Sequence, residues 1–189
     1  MTAFELDTKE LNSQSITINN IVAKLDIGIE LDLQYLSSEL SNSSFEPQRY
    51  PSLIFRPDGL STVLITGTGI ILFTGCDSID SLQKTYDQVC KELNVIGIDD
   101  VKDLESIQIV NVVCTFDLNT NIDLNRLCLN LGFESVEYEP EQFPGLVYRI
   151  EEDGPVILVF STGKIVVTGA ITTKEIQNAK SRIQKLLPK

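Results

Sequence analysis

The chain repeats itself. Phe45-Glu46-Pro47-Gln48-Arg49-Tyr50-Pro51-Ser52-Leu53-Ile54-Phe55-Arg56 returns, a little over 90 residues later, as Tyr138-Glu139-Pro140-Glu141-Gln142-Phe143-Pro144-Gly145-Leu146-Val147-Tyr148-Arg149. The shared order is aromatic-Glu-Pro, two polar residues, an aromatic, a proline, and an apolar run ending in arginine. Downstream, residues 61–75 align with residues 155–169, and both end in Thr-Gly. Upstream, Ile18-Asn19-Asn20-Ile21-Val22 aligns with Ile109-Val110-Asn111-Val112-Val113. Repetition on this scale means two copies of one supersecondary unit. Neither copy is large enough to bury a comfortable core alone, so the two are expected to form one assembly.

Within each copy the local signals agree. Two β-branched runs flank a short glycine-containing turn at 67–69 and again at 161–163, which is the signature of a hairpin. The upstream strand of each copy leads to an Asp-Leu segment suited to a short helix. After each Thr-Gly comes a longer helix. Ile79, Leu82, Tyr86, Val89, Cys90 and Leu93 form one apolar stripe, and Ile176, Ala179, Ile183, Leu186 and Leu187 form the other. Ser78, and Thr172 or Thr173, are suited to cap them, and Pro188 ends the last one. Each copy therefore reads strand, short helix, three to four strands, long helix. The simplest assembly joins both sheets edge to edge, with helices on one face and the other left free. The copies are bounded at 16–94 and 106–187. Val95 to Glu105 reads as a linker, and residues 1–15 as a polar, frayed terminus.

Composition narrows the function. Hydrophobic residues make up 42% of the 189, which requires a packed core. No apolar run is long enough to span a membrane. The sequence from Met1 to Asp7 lacks the basic start and apolar run of a signal peptide, which points to a cytoplasmic protein. Cys76, Cys90, Cys114 and Cys128 form no C-x-x-C pair and there is no histidine, so no metal or cofactor site is expected and the cysteines read as buried free thiols. Histidine is also the commonest general base, and no catalytic residue is assigned. Gly67-Thr68-Gly69 lacks the Lys-Ser/Thr ending of a phosphate loop and sits inside a hairpin. The net charge of −12 opposes binding to a polyanion, although acidity also serves solubility in a salty cytoplasm.

Residues 140–149 and 159–169, Pro-Glu-Gln-Phe-Pro-Gly-Leu-Val-Tyr-Arg and Val-Phe-Ser-Thr-Gly-Lys-Ile-Val-Val-Thr-Gly, are highly similar to the second repeat of archaeal TATA-binding proteins. The likeness extends over residues 16–187. It implies an α+β fold in which two pseudo-symmetric repeats form a saddle-shaped curved antiparallel sheet, with helices on the convex face. It also implies that the concave face sits on the minor groove of A/T-rich promoter DNA. The family is the standing example of wedge-driven kinking in that groove, and the bend is carried over with the resemblance.

The family's roles map onto positions of this chain. Its wedge phenylalanines match Phe143 and Phe160 in the second copy, but Tyr50 and Thr66 in the first. Its groove-reading asparagines match Asn20 and Asn111, since an amide suits the degenerate acceptors of A·T pairs. Thr74 and Thr168 match groove-facing threonines, and Val22, Val113, Leu72 and Val166 match apolar floor contacts. For the phosphates, Lys164 is kept after the second turn, and Arg56 and Arg149 are kept in both copies. Ile70, Asp77 and Ile171 stand where the family carries lysine. Fewer cations mean weaker binding and a flatter salt dependence. The loop at Glu139, Glu141 and Gln142 matches the family's contact with transcription factor B, through which RNA polymerase joins the initiation complex. Exposed faces of this kind can also pair two copies of the chain without DNA. The second reading, favoured by the acidity, Thr66, Ile70 and Asp77, is a divergent paralogue that keeps the fold as a regulatory or protein-interaction module.

Overall fold

Apolar residues at every second position set the longer strands, where one alternate set of them is buried. The computed structural model describes residues 4–99, 101, 103–132, 134–152 and 154–186. The chain divides into two compact units: Asn20–Val110, and Phe4–Asn19 together with the chain from Asn111 onward.

A short helix, α1 (Thr8–Ser13), comes first in the chain. The first unit then contains β1 (Thr17–Asp26) from Asn20 onward, α2 (Leu33–Glu39), β2 (Ser43–Ser44), β3 (Ser52–Phe55), β4 (Thr62–Thr66), β5 (Ile70–Cys76) and α3 (Ile79–Val95). Its strands lie in the order β2-β3-β4-β5-β1, each antiparallel to its neighbours. The second unit repeats the plan with β6 (Gln108–Asp117) from Asn111 onward, α4 (Leu124–Leu131), β7 (Val136–Glu137), β8 (Leu146–Arg149), β9 (Val156–Val159), β10 (Lys164–Ala170) and α5 (Thr173–Leu186). Its order is β6-β10-β9-β8-β7, again antiparallel. The class is α+β, and four strands follow the short helix in each copy. Leu187 and Pro188, expected to complete and end the last helix, lie outside the described residues.

Helices cover one face of each sheet. α3 packs on β5 and α2 on β3, while α5 packs on β10. Ile21, Ala23, Leu25, Leu53, Ile65, Ile71 and Phe73 point to that face and are essentially inaccessible, as are Val112, Cys114, Ile157, Val159, Ile165 and Val167. Burying each such side chain contributes about 1.5–3 kcal/mol, an upper bound because denatured chains are not fully extended. The stripes of the long helices hold at Leu82, Tyr86, Val89 and Leu93, and at Ile176, Ala179 and Ile183. Caps are those expected: Ser78 accepts from Ser81 N–H at 3.1 Å, and Thr172 from Glu175 N–H at 3.2 Å. Asp32 and Asp123 cap the two short helices.

The amino-terminal segment corrects the expectation of a frayed terminus. Leu6, Leu11 and Ile16 are buried. Asp7 caps α1, accepting from Lys9 and Glu10 N–H. Thr173 N–H donates to the Glu5 carbonyl at 2.9 Å, and Gln177 Nε2 to Glu10 Oε1 at 2.6 Å, which ties the segment to α5. Three apolar anchors suffice to hold a polar segment when a helix end offers unpaired groups nearby. Among the described residues, no helix is long and apolar enough to cross a membrane.

Candidate nucleic-acid interface

The opposite face of each sheet carries the alternate residues. In the first unit these are Asn20, Val22 and Lys24 on β1, Ile70, Leu72 and Thr74 on β5, Leu64 and Thr66 on β4, and Ile54 on β3, all half-buried. In the second unit they are Asn111, Val113 and Thr115 on β6, Val166 and Thr168 on β10, Leu158 on β9 and Val147 on β8, again half-buried, with Lys164 exposed at the start of β10. Among the described residues, no helix of either unit covers this side. An array of β-branched and leucine side chains, with one amide in each unit, offers shape contact and a few polar contacts. Among the described residues, no cluster of three or more His, Cys, Asp or Glu could hold a metal.

Each asparagine is held by a bulge. Opposite the single residue Val22, β5 carries two, Thr74 and Gly75, because the register moves from Ala23–Phe73 to Ile21–Cys76. Thr168 and Gly169 stand in the same way opposite Val113. Both glycines have positive φ, +84° and +86°. In both units the bulge N–H that the ladder cannot use donates to the asparagine. Gly75 N–H meets Asn20 Oδ1 at 2.7 Å, and Gly169 N–H meets Asn111 Oδ1 at 2.8 Å.

The two units differ at the far end. In the second, Phe143 and Phe160 pack edge to face with ring centroids 5.8 Å apart, and Phe143 keeps 38% of its surface exposed. They lie over Gly145, where a Cβ would come within 2.8 Å of one ring and 3.0 Å of the other. In the first unit, Tyr50 is 63% exposed and, among the described residues, has no ring beside it. Thr66 turns back on its own hairpin: its Oγ1 accepts from Ile70 N–H at 3.0 Å and donates to the Ile70 carbonyl at 3.1 Å. Ser52, paired with Thr66 in the ladder, stands where the second copy has glycine.

The cations are partly engaged. Arg149 Nε lies 3.6 Å from Glu137 and Arg49 Nη1 lies 3.3 Å from Glu46, both in exposed surroundings. Pairs this exposed contribute little, so another anion can displace the carboxylate. Arg56 and Lys164 are exposed with no ion pair among the described residues. The loop at Glu139, Glu141 and Gln142 is exposed, and the Glu139 carbonyl accepts from Gln142 and Phe143 N–H at 2.9 Å. The same turn recurs at Glu46, Arg49 and Tyr50. Cys76 and Cys114 are buried free thiols, whereas Cys90 and Cys128 are half-buried.

Sequence reasoning missed Lys24, Leu64, Leu158 and Gly145. Lys24 was within reach, because it continues the period-two series from Asn20 and Val22. Gly145 gave no such signal; its importance lies in two rings that reach it from elsewhere in the chain.

Residues 15–96 and 106–189 both match the model of the family described as Transcription factor TFIID (or TATA-binding protein, TBP). The TATA-box-binding protein of Picrophilus torridus is 41% identical over 177 residues, 93% of this chain and 96% of that one. TATA-box-binding protein 2 of Haloferax volcanii is 42% identical over 172 residues, 90% and 92% respectively. The solved structure of Methanococcus jannaschii TBP superposes with a TM-score of 0.78 at 34% identity, over 91% of this chain and 97% of that one. Two matched repeats, kinship over nearly the full length and the shared fold lead to one conclusion: the chain belongs to the TATA-binding protein family of transcription factors.

Proposed function

We propose that the chain is a general transcription factor whose two repeats, 16–94 and 106–187, lay their helix-free faces on the minor groove of A/T-rich promoter DNA. The observation that carries this is the recurrence of one amide, Asn20 and Asn111, at the same bulge on the same kind of apolar face. The minor groove of A·T pairs offers acceptors and no donor, and an amide among apolar contacts suits it. Val22, Leu72, Thr74, Val113, Val166 and Thr168 supply groove contact. Phe143 and Phe160 wedge a base step at one end, and Tyr50 does so less well at the other. Arg56, Arg149 and Lys164 meet phosphates, with Lys24 as a further cation on the first face. Glu139, Glu141 and Gln142 recruit transcription factor B, and RNA polymerase follows through the initiation complex. The protein acts without catalysis, in the cytoplasm, and two copies pair through these faces when DNA is absent.

A mobility shift on TATA and scrambled duplexes tests this, at low and at molar salt, with and without transcription factor B. The expected result is a TATA-dependent shift, supershifted by the factor and lost with Glu139→Ala/Glu141→Ala. Equal affinity for both duplexes at every salt would overturn it. In that event the regulatory-module reading stands, and the acidity of the chain is its support.

A further inference from the structure

We infer that Lys24 takes in the first unit the place that Lys164 holds in the second: it is the phosphate cation of one corner of the sheet, moved one diagonal step across the ladder. This rests on the minor-groove reading above. The corner is a quartet of side chains on the helix-free face, beside the hairpin turn. In the first unit Lys24 stands opposite Leu72, and Asp26 opposite Ile70. In the second, Thr115 stands opposite Val166, and Asp117 opposite Lys164. The quartets match position for position, and the aspartate keeps its point in both. The lysine lies at opposite ends of one diagonal. Ile70 therefore does not leave the first corner without a cation.

Electrostatics give the move a reason. Each quartet holds one lysine and one aspartate, so its charges cancel. Without its lysine, either corner would turn a lone carboxylate toward a polyanion, on a chain of net charge −12. The carboxylates do not consume the cations. Asp26 Oδ1 accepts from Gly28 N–H at 2.9 Å, and Asp117 Oδ1 accepts from Asn119 N–H at 2.7 Å. Among the described residues, neither Lys24 nor Lys164 has an ion pair.

Reach permits the exchange. Diagonal neighbours on an antiparallel ladder lie about 7–8 Å apart, a gap that the flexible lysine stem largely spans. Lys24 is half-buried, and its neighbours on this face are apolar: Val22 along the strand, Leu72 across it and Ile70 on the diagonal. Such a floor suits the methylene stem and directs the ammonium outward, to water or to an anion. A purely structural account holds that Lys24 only offsets Asp26 within the fold.

Salt-dependent titration of a labelled TATA duplex with the full chain separates the two accounts. Lys24→Thr copies Thr115, and Lys24→Met keeps the stem without the charge. Each should lower the salt slope by about one, and should weaken TATA and scrambled duplexes by the same factor, because a phosphate carries no sequence. Lys24→Thr with Ile70→Lys writes the second quartet into the first unit, and should return the slope to the native value. Duplexes carrying a single uncharged methylphosphonate then locate the contact. One linkage should weaken the native chain and the double variant alike, and leave Lys24→Thr unaffected.

An unchanged slope in Lys24→Thr, where Lys164→Thr lowers it, would overturn the relocation. So would a slope that Ile70→Lys does not restore, a fall in the threonine variant that the methionine variant does not share, or a different linkage responding in the double variant. If neither Lys24→Thr nor Lys164→Thr moves the slope, and TATA is held no better than the scrambled duplex, it is the minor-groove reading that falls.

Discussion

At the hairpin ends of the two units the same backbone carries different contents. In the second unit two phenyl rings stand against each other over a residue with no side chain. In the first, one tyrosine ring stands alone, a threonine hydroxyl closes on its own turn, and a serine lies where the floor was bare. A wedge must enter a base step without losing its shape. A ring braced by a second ring at 5.8 Å resists deflection, whereas a lone exposed ring gives up rotamer freedom on binding. On the proposed reading the wedge is a set of three positions: two rings and the glycine that lets them sit down.

The largest effect should come from dismantling the second end. Phe143→Ala and Phe160→Ala should each weaken binding to a TATA duplex by roughly 1–3 kcal/mol, about fivefold to 150-fold, in a titration of labelled DNA. Tyr50→Ala should cost well under half of that; an equal loss would erase the difference between the ends. Next comes its construction in the first unit. Ser52→Gly with Thr66→Phe should let a second ring settle beside Tyr50 and strengthen binding by about 1 kcal/mol, with a shorter end-to-end distance of the bound duplex by fluorescence transfer. Thr66→Phe alone should gain less, because Ser52 stays in the way. Gly145→Ser should push the rings apart and reduce the bend, while unfolding stability changes by no more than about 1 kcal/mol.

The smaller effects concern charge and thiols. Lys24→Ala should lower the salt slope of binding by about one, leaving base preference intact. An unchanged slope would place Lys24 away from phosphate. Burial pushes the Cys114 thiol up to about 12 and raises that of Cys76 as well. Both stay protonated at pH 8, and since the thiolate is the nucleophile, both should resist alkylation in the folded chain and react once it unfolds. Rapid native labelling of Cys114 would mean that β6 opens readily.

Much of this was legible in advance. Period-two runs marked the strands, three-to-four spacing marked the long helices, and Ser78, Asp32 and Asp123 precede their helices as caps do. These signals are local, carried by residues within a few positions of one another. Phe143, Phe160, Asn20 and Asn111 stood out because they match the family's wedge and groove-reading positions, and for the two asparagines the repeat supplied a second instance.

Other features depended on residues far apart in the chain. The terminal segment looked frayed because its anchors, Leu6, Leu11 and Ile16, follow no period, and its partners on α5 lie some 166 positions away. The ion pair of Arg149 with Glu137 follows from the pairing of β7 with β8. The direction of the Asn20 amide depends on an N–H 55 residues downstream, and that of Asn111 on one 58 residues downstream. Composition and periodicity were therefore enough to specify two copies of a strand-rich unit, and the resemblance to a known family named their rings and amides. Which way an amide turns, which ring has a brace and which cation has a carboxylate beside it were settled by packing. Such choices depend on single contacts of a few ångströms, made only when distant strands come into register.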